Sequence, residues 1–291
     1  MSRPKTNVDR RRLWRLSAGY VFGIAVVVFA ARHLGMQWDD VGNQLNNLSP
    51  WSCVIVLALF TCSLFLNALA FVYANRAVGV RAAGGLIAGT WLSTVLAKYL
   101  PIGIGHVIGR GVLLARNGVP VKATGITGVI EQSLSLLLCA WIAAVAWSAM
   151  AGSVLLMSLA LSVPAGLLIV GLTAVRTWAS LIVESRAFWL SAALYALAMV
   201  PFFLGYAVLV FPASWLDFAF AIFGGTLAGA AAIFVPGGVG VREAATAALS
   251  VSADGPRMLS GLVVARLLVL FAECVGTGVG ARLLVRSGAR S

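Results

Sequence analysis

Apolar residues fall in blocks long enough to cross a bilayer, and polar residues gather in the gaps between them. A helical span needs about 20 apolar residues. Six stretches meet that length, roughly 13–31, 51–74, 124–148, 153–175, 187–210 and 258–281. Two more apolar stretches, about 84–116 and 217–250, are broken by Tyr99-Leu100-Pro101-Ile102-Gly103-Ile104-Gly105-His106 and Phe234-Val235-Pro236-Gly237-Gly238-Val239-Gly240-Val241. Proline lacks an N–H and clashes with the preceding turn, so helices should end near Leu100 and Val235. The glycines then permit a sharp reversal or close backbone approach. The pattern predicts an all-α polytopic membrane protein with about six full transmembrane helices and two broken, re-entrant helical hairpins. Residues 1–12 form a basic cytoplasmic tail, and 13–286 form a single transmembrane domain with repeat halves at about 51–148 and 187–286.

The halves correspond without gaps under a shift of 135 residues: Pro101 falls on Pro236, Gly103 on Gly238, Gly105 on Gly240, Gly89 on Gly224 and Glu131 on Arg266. Three full spans lie between the two breaks, which puts them on opposite membrane faces. That is an inverted-topology repeat, and matching breaks in two halves point to a binding site at their interface. The alternative is chance similarity between glycine-rich apolar segments. Irregular backbone at membrane depth is tolerated only where it is buried in protein or lines a wet cavity.

Composition supports the membrane reading: 61% of residues are hydrophobic, 10% are charged, and the mean hydropathy is +0.99. A soluble globular protein is excluded. The net charge of +12 raises nucleic acid as a partner, but the basic residues sit where the positive-inside rule places them. Arg3, Lys5, Arg10, Arg11, Arg12 and Arg15 precede the first span, and Arg282, Arg286 and Arg290 follow the last. Both termini are therefore expected in the cytoplasm, with no nucleic-acid partner. The first apolar segment is too long for a cleaved signal peptide and lacks a clear cleavage site. Cys53, Cys62, Cys139 and Cys274 have no metal-ligand spacing and read as small buried hydrophobes.

Candidate chemistry gathers at the breaks. New helices should begin near 106 and 241, and their N-termini expose unpaired N–H groups that favour anions. Arg242 lies in the first turn of the second helix, and Arg110 lies just over one turn into the first. Two guanidiniums there suit a phosphate; the alternative is that the glycines only permit close helix packing. The expected ligand-binding set is Pro101, Gly103, Gly105, His106, Arg110, Pro236, Gly237, Gly238, Gly240 and Arg242. Lys98, Arg110, Glu131, Arg242, Glu243, Arg266 and Glu273 place charge inside apolar or broken segments, at about 2.5–3.5 kcal/mol each if unpaired at a helix centre. Four cations against three carboxylates leave one positive charge over, which suits an anionic or zwitterionic headgroup. Arg266 and Glu273 share a helix face. Glu131 and Arg266, being repeat-mates, either pair across the pseudo-axis as part of a functional network or form a structural ion pair. Glu243 also has the position of an acid compensating its own helix N-terminus. His106 reads either as a proton carrier or phosphate ligand, or as a hydrogen-bonded structural residue. Metalloprotease, P-loop and nucleophile-elbow signatures are absent, so no enzyme activity, cofactor or metal site is expected.

These motifs resemble the lysylphosphatidylglycerol synthase transmembrane family, the flippase-like domain proteins. The resembling residues are Lys98-Tyr99-Leu100-Pro101 with His106 and Arg110, then Leu113-Leu114, Gly118 and Glu131. The second block is Val235-Pro236-Gly237-Gly238-Val239-Gly240-Val241-Arg242-Glu243, followed by Arg266. The similarity covers about 15–285. Many relatives have an acidic residue beside the first loop, where this chain has His106-Val107. The resemblance implies a polytopic lipid-handling protein in which the membrane half moves a phospholipid. The soluble aminoacylating domain of two-domain relatives has no counterpart here, so aminoacyl transfer does not carry over. The expected function is a lipid translocase of the bacterial inner membrane that binds a phosphate-bearing lipid by alternating access. One alternative is a non-transport scaffold for a separately encoded lipid-modifying transferase. Another is a membrane enzyme acting on a lipid-linked substrate. A homodimer or a transferase partner is compatible with either of the first two readings.

Overall fold

The computed structural model describes residue 42 and residues 48–99, 105–158, 185–232, 235–251 and 255–288, and the regular secondary structure among these is all helical. Eight α-helices are placed end to end: α1 Pro50–Ala77, α2 Gly84–Thr94, α3 Gly105–Arg116, α4 Val121–Met150, α5 Arg186–Val210, α6 Trp215–Ala231, α7 Val241–Leu249 and α8 Gly255–Arg286. A 3-10 turn, Val95–Tyr99, continues α2, and another, Pro236–Gly238, precedes α7.

Helix starts follow local chemistry. Ser49 caps α1 by accepting from the Ser52 N–H at 3.1 Å, with proline at the first helical position. Ser185 caps α5 by accepting from Phe188 N–H at 3.1 Å, and Ser214 caps α6 by accepting from Asp217 N–H at 3.4 Å. Each cap satisfies an N–H that has no partner within the helix.

Among the described residues, four helices are long and apolar enough to cross a membrane: Pro50–Ala77, Val121–Met150, Arg186–Val210 and Met258–Arg286. They match four of the six expected spans. The expected span at 13–31 and most of that at 153–175 lie outside the described residues. Both broken segments are present. Helix α2 gives way to a tight turn at Val95, and the chain resumes as α3 at Gly105. In the second segment α6 ends at Ala231, a turn earlier than Pro236 alone requires. There the loop doubles back on its own helix: a Cβ at Gly238 would lie 2.8 Å from the Gly229 carbonyl oxygen.

The order of long helix, broken helix, short helix and long helix occurs twice, as α1–α4 and α5–α8. Packing is reciprocal: α2 lies on α8 while α6 lies on α4, and α1 packs along α5. The last two run antiparallel. The Ser63 hydroxyl donates to the Ala198 carbonyl and the Ser191 hydroxyl donates to the Ala70 carbonyl, both at 2.9 Å. Close contact of α2 with α8 depends on facing glycines, since a Cβ at Gly280 would lie 2.9 Å from the Gly89 carbonyl oxygen. Small residues of this kind let membrane helices approach to backbone contact. Two buried apolar clusters result. One contains Phe71, Ile87, Leu92 and Leu114, and the other Tyr206, Phe218, Ile222 and Leu262. Polar side chains lie between α1, α4, α5 and α8.

Candidate functional site

A cavity of about 220 Å³ opens where the two sets of helices meet. Lys98, His106, Arg110, Glu131, Arg242, Arg266 and Glu273 all line it, so six of the seven charges foreseen in apolar segments converge on one space. Glu243 joins them through Arg266. Residues 101–104, including the expected ligands Pro101 and Gly103, lie outside the described residues. Gly105 begins α3, Pro236, Gly237 and Gly238 form the 3-10 turn, and Gly240 is the N-cap of α7.

The charges are matched with one exception. The Arg110 Nη1 donates to Glu131 Oε2, and Glu131 Oε1 accepts from the Trp91 indole at 2.8 Å. The Arg110 guanidinium lies 4.9 Å from the Trp91 ring centre and 5.1 Å from that of Phe71. At 3% exposure it is a sealed ion pair. Lys98, from the first half, pairs with Glu273 on α8. Arg266 stands 3.9 Å from Glu243 and donates from Nη2 to the Gly237 carbonyl at 2.7 Å, with its guanidinium 5.3 Å from the Tyr99 ring. Glu243 also reaches back to accept from the Gly240 N–H at 2.7 Å, as expected of an acid at a helix start.

These pairings correct the expected Glu131–Arg266 contact. Glu131 and Arg266 are each neutralised from the neighbouring short helix, with the signs exchanged: α3 supplies the cation to α4, whereas α7 supplies the carboxylate to α8. The reason is geometric. Arg110 and Glu243 each sit on the short helix packed directly against the long helix that carries the opposite charge.

Arg242 is the exception. It has no carboxylate within ion-pair distance among the described residues, and its buried Nε has no hydrogen-bond partner. Its guanidinium rests 4.9 Å from the Phe202 ring centre and 5.7 Å from that of Tyr206. Aromatic faces attract a cation at such distances but do not neutralise it. Its position is set by Gly225 and Gly229 on α6, where the Arg242 backbone and Cβ lie against bare helix: a Cβ at Gly225 would be 2.8 Å from the Arg242 carbonyl oxygen. On the anionic side, Glu273 is 4% exposed, and its Oε2 has no hydrogen-bond partner. The Tyr99 hydroxyl, also buried, lies beside Glu273 as the neighbouring donor to its carboxylate.

Sequence reading missed the neutral part of the lining. Ser63, Asn67, Gln132 and Ser135 face the cavity, as do Phe60, Trp91, Tyr195 and Phe202. The available signal was a polar uncharged side chain inside an otherwise apolar span, as at Asn67 and Gln132. Among the described residues, no three His, Cys, Asp or Glu side chains are grouped to hold a metal ion. No family model matches the chain, and no curated protein matches it.

Proposed function

We propose that this protein binds a phosphate-bearing lipid headgroup in the cavity between its two halves and carries it across the inner membrane, leaving the tails in lipid. The observation that carries the reading is Arg242, a cation held in a polar cavity by aromatic rings and glycine contacts, with no carboxylate to balance it among the described residues. An uncompensated charge at membrane depth marks a site for a ligand of opposite sign. Arg110, sealed against Glu131, supports the site structurally and leaves the phosphate to Arg242.

The two sets of four helices are read as an inverted repeat. Its support is the 135-residue shift between Pro101 and Pro236, the reciprocal packing of α2 on α8 and α6 on α4, and the antiparallel α1 and α5. A site at the repeat interface suits alternating access by rocking one half against the other. The Lys98–Glu273 pair joins the halves and would have to rearrange in that motion. Membership of the lysylphosphatidylglycerol synthase transmembrane family is part of the same proposal and rests on the two Pro-Gly motifs with their arginines. The chain is taken to be a translocator without catalytic residues, with both termini cytoplasmic.

The test is lipid movement in reconstituted liposomes, read with headgroup-bearing fluorescent lipids and an impermeant quencher, comparing wild type with Arg242→Gln. Arg242-dependent movement is expected. A folded wild-type protein that binds lipid but moves none supports instead a scaffold for a separate transferase.

A further inference from the structure

One end of the helix bundle is strongly basic, and its charges take no part in the central cavity. The α1–α2 turn (Val78, Val80, Ala82), the α3–α4 corner (Leu114, Val119, Ala123) and the last turn of α8 (Leu283, Leu284) share one apolar cluster. The start of α5 lies at the same end, because α5 runs antiparallel to α1 and the Ser191 hydroxyl donates to the Ala70 carbonyl. Five exposed arginines therefore stand together there: Arg81, Arg116, Arg186, Arg282 and Arg286. None has an ion-pair partner among the described residues, and no described carboxylate lies at this end. At the opposite end, the starts of α1 and α6 and the ends of α4, α5 and α7 carry no lysine or arginine, and only Arg257 enters there, at the start of α8. Five exposed like charges without counter-charge attract an anionic surface.

Two features identify that surface as lipid. The connecting segments 78–83 and 117–120 are short, so Arg81 and Arg116 stay within about one turn of the span ends. Large apolar side chains are also exposed among the cations: Val285, between Arg282 and Arg286, is 80% exposed, Val121, on the far side of the corner from Arg116, is 69% exposed, and Trp189, on the first turn of α5 with Arg186, is 49% exposed. A soluble acidic partner would leave that apolar surface in contact with water. Acyl chains cover it, while guanidiniums on long stems reach out to the headgroups and the indole sits at the interface.

We infer that this end of the bundle is a second lipid-binding surface, a ring of arginines that gathers anionic headgroups of one leaflet around the protein. It is separate from the central cavity and does not depend on what that cavity holds.

The test uses the purified full-length chain, reconstituted in vesicles of equimolar phosphatidylglycerol and phosphatidylcholine. The protein is extracted in mild non-ionic detergent and repurified, and the lipids that stay bound are quantified. Wild type is expected to retain phosphatidylglycerol several-fold over phosphatidylcholine. The triple variant Arg116→Gln/Arg282→Gln/Arg286→Gln should lose most of that preference, while Arg242→Gln should keep it. Extraction in 1 M salt, where charges are screened beyond about 3 Å, should lower the preference of wild type as the triple variant does, which decides the matter even if that variant does not fold. The inference is wrong if wild type shows no preference, or if the preference survives both the triple substitution and high salt. It is also wrong if Arg242→Gln alone removes the preference, since the anionic lipid would then occupy the central cavity; that outcome supports the lipid-binding reading above. Poly-glutamate, titrated onto protein in phosphatidylcholine nanodiscs, represents an acidic protein: binding that needs the same three arginines, together with no phosphatidylglycerol preference, would assign this end to such a partner and overturn the lipid assignment.

Discussion

Arg110→Met should unfold this protein far more readily than Arg242→Met, although both remove one arginine from the same cavity. Arg110 and Glu131 have side chains only 4% and 7% exposed and are bonded to each other. Removing the guanidinium leaves Glu131 buried with the Trp91 indole as its remaining described hydrogen-bond donor. Breaking a buried pair from one side costs about 3–5 kcal/mol; in a chain of this size that is on the order of 10 °C in melting temperature. The double variant Arg110→Met/Glu131→Leu removes both charges and should recover most of the loss, since apolar replacement of a buried pair is often close to neutral. Arg242→Met instead deletes a cation that has no carboxylate partner among the described residues. Methionine keeps an apolar stem against Phe202, so stability should stay within about 1 kcal/mol of wild type or rise, while anionic-lipid binding is lost. The assay is unfolding in mixed micelles, followed by tryptophan fluorescence, for the four proteins. Equal destabilisation by the two single substitutions, or a double variant no better than Arg110→Met, would refute the division into a structural and a ligand-holding arginine.

Gly225→Val should destabilise by about 1–3 kcal/mol through overpacking and should weaken lipid binding by lifting α7 and Arg242 off α6; Gly278→Ala, where an added Cβ meets nothing within 4 Å, should do neither in the same unfolding and binding assays. Gly237 has φ +61 and would place a Cβ 2.8 Å from the Tyr99 ring, so Gly237→Ala should cost about 1–2 kcal/mol for the left-handed backbone and slow lipid movement in liposomes. Asp217 accepts from the Ser250 hydroxyl at 2.6 Å and the Val251 N–H at 3.0 Å, tying the start of α6 to the end of α7. Asp217→Ala should lower stability by about 1–3 kcal/mol and increase amide exchange at the end of α7.

Rules that act along the chain made much of this protein legible before any tertiary contact was known. Bilayer thickness sets span length, so 51–74, 124–148, 187–210 and 258–281 could be found from hydropathy alone. Proline and glycine break helices wherever they stand, which located the starts of α3 and α7 to within a residue or so. Charge can be counted without coordinates, so the single surplus cation was visible as well. Its identity was not, because Arg110, Arg242 and Arg266 are equivalent in composition and nearly so in motif. Pairing depends on the rotation and depth at which helices pack, and these follow from contacts such as Gly225 against α7 and Gly280 against α2. Those contacts bring Glu131 to Arg110 and Glu243 to Arg266, and leave Arg242 against Phe202 and Tyr206. Asn67, Gln132 and Phe202 were likewise ordinary span residues until packing turned them toward one cavity. Sequence determined how many charges this membrane domain must reconcile; only the tertiary structure decided which one stays unmatched, because neutralisation requires contact within about 4 Å and contact is made by packed surfaces.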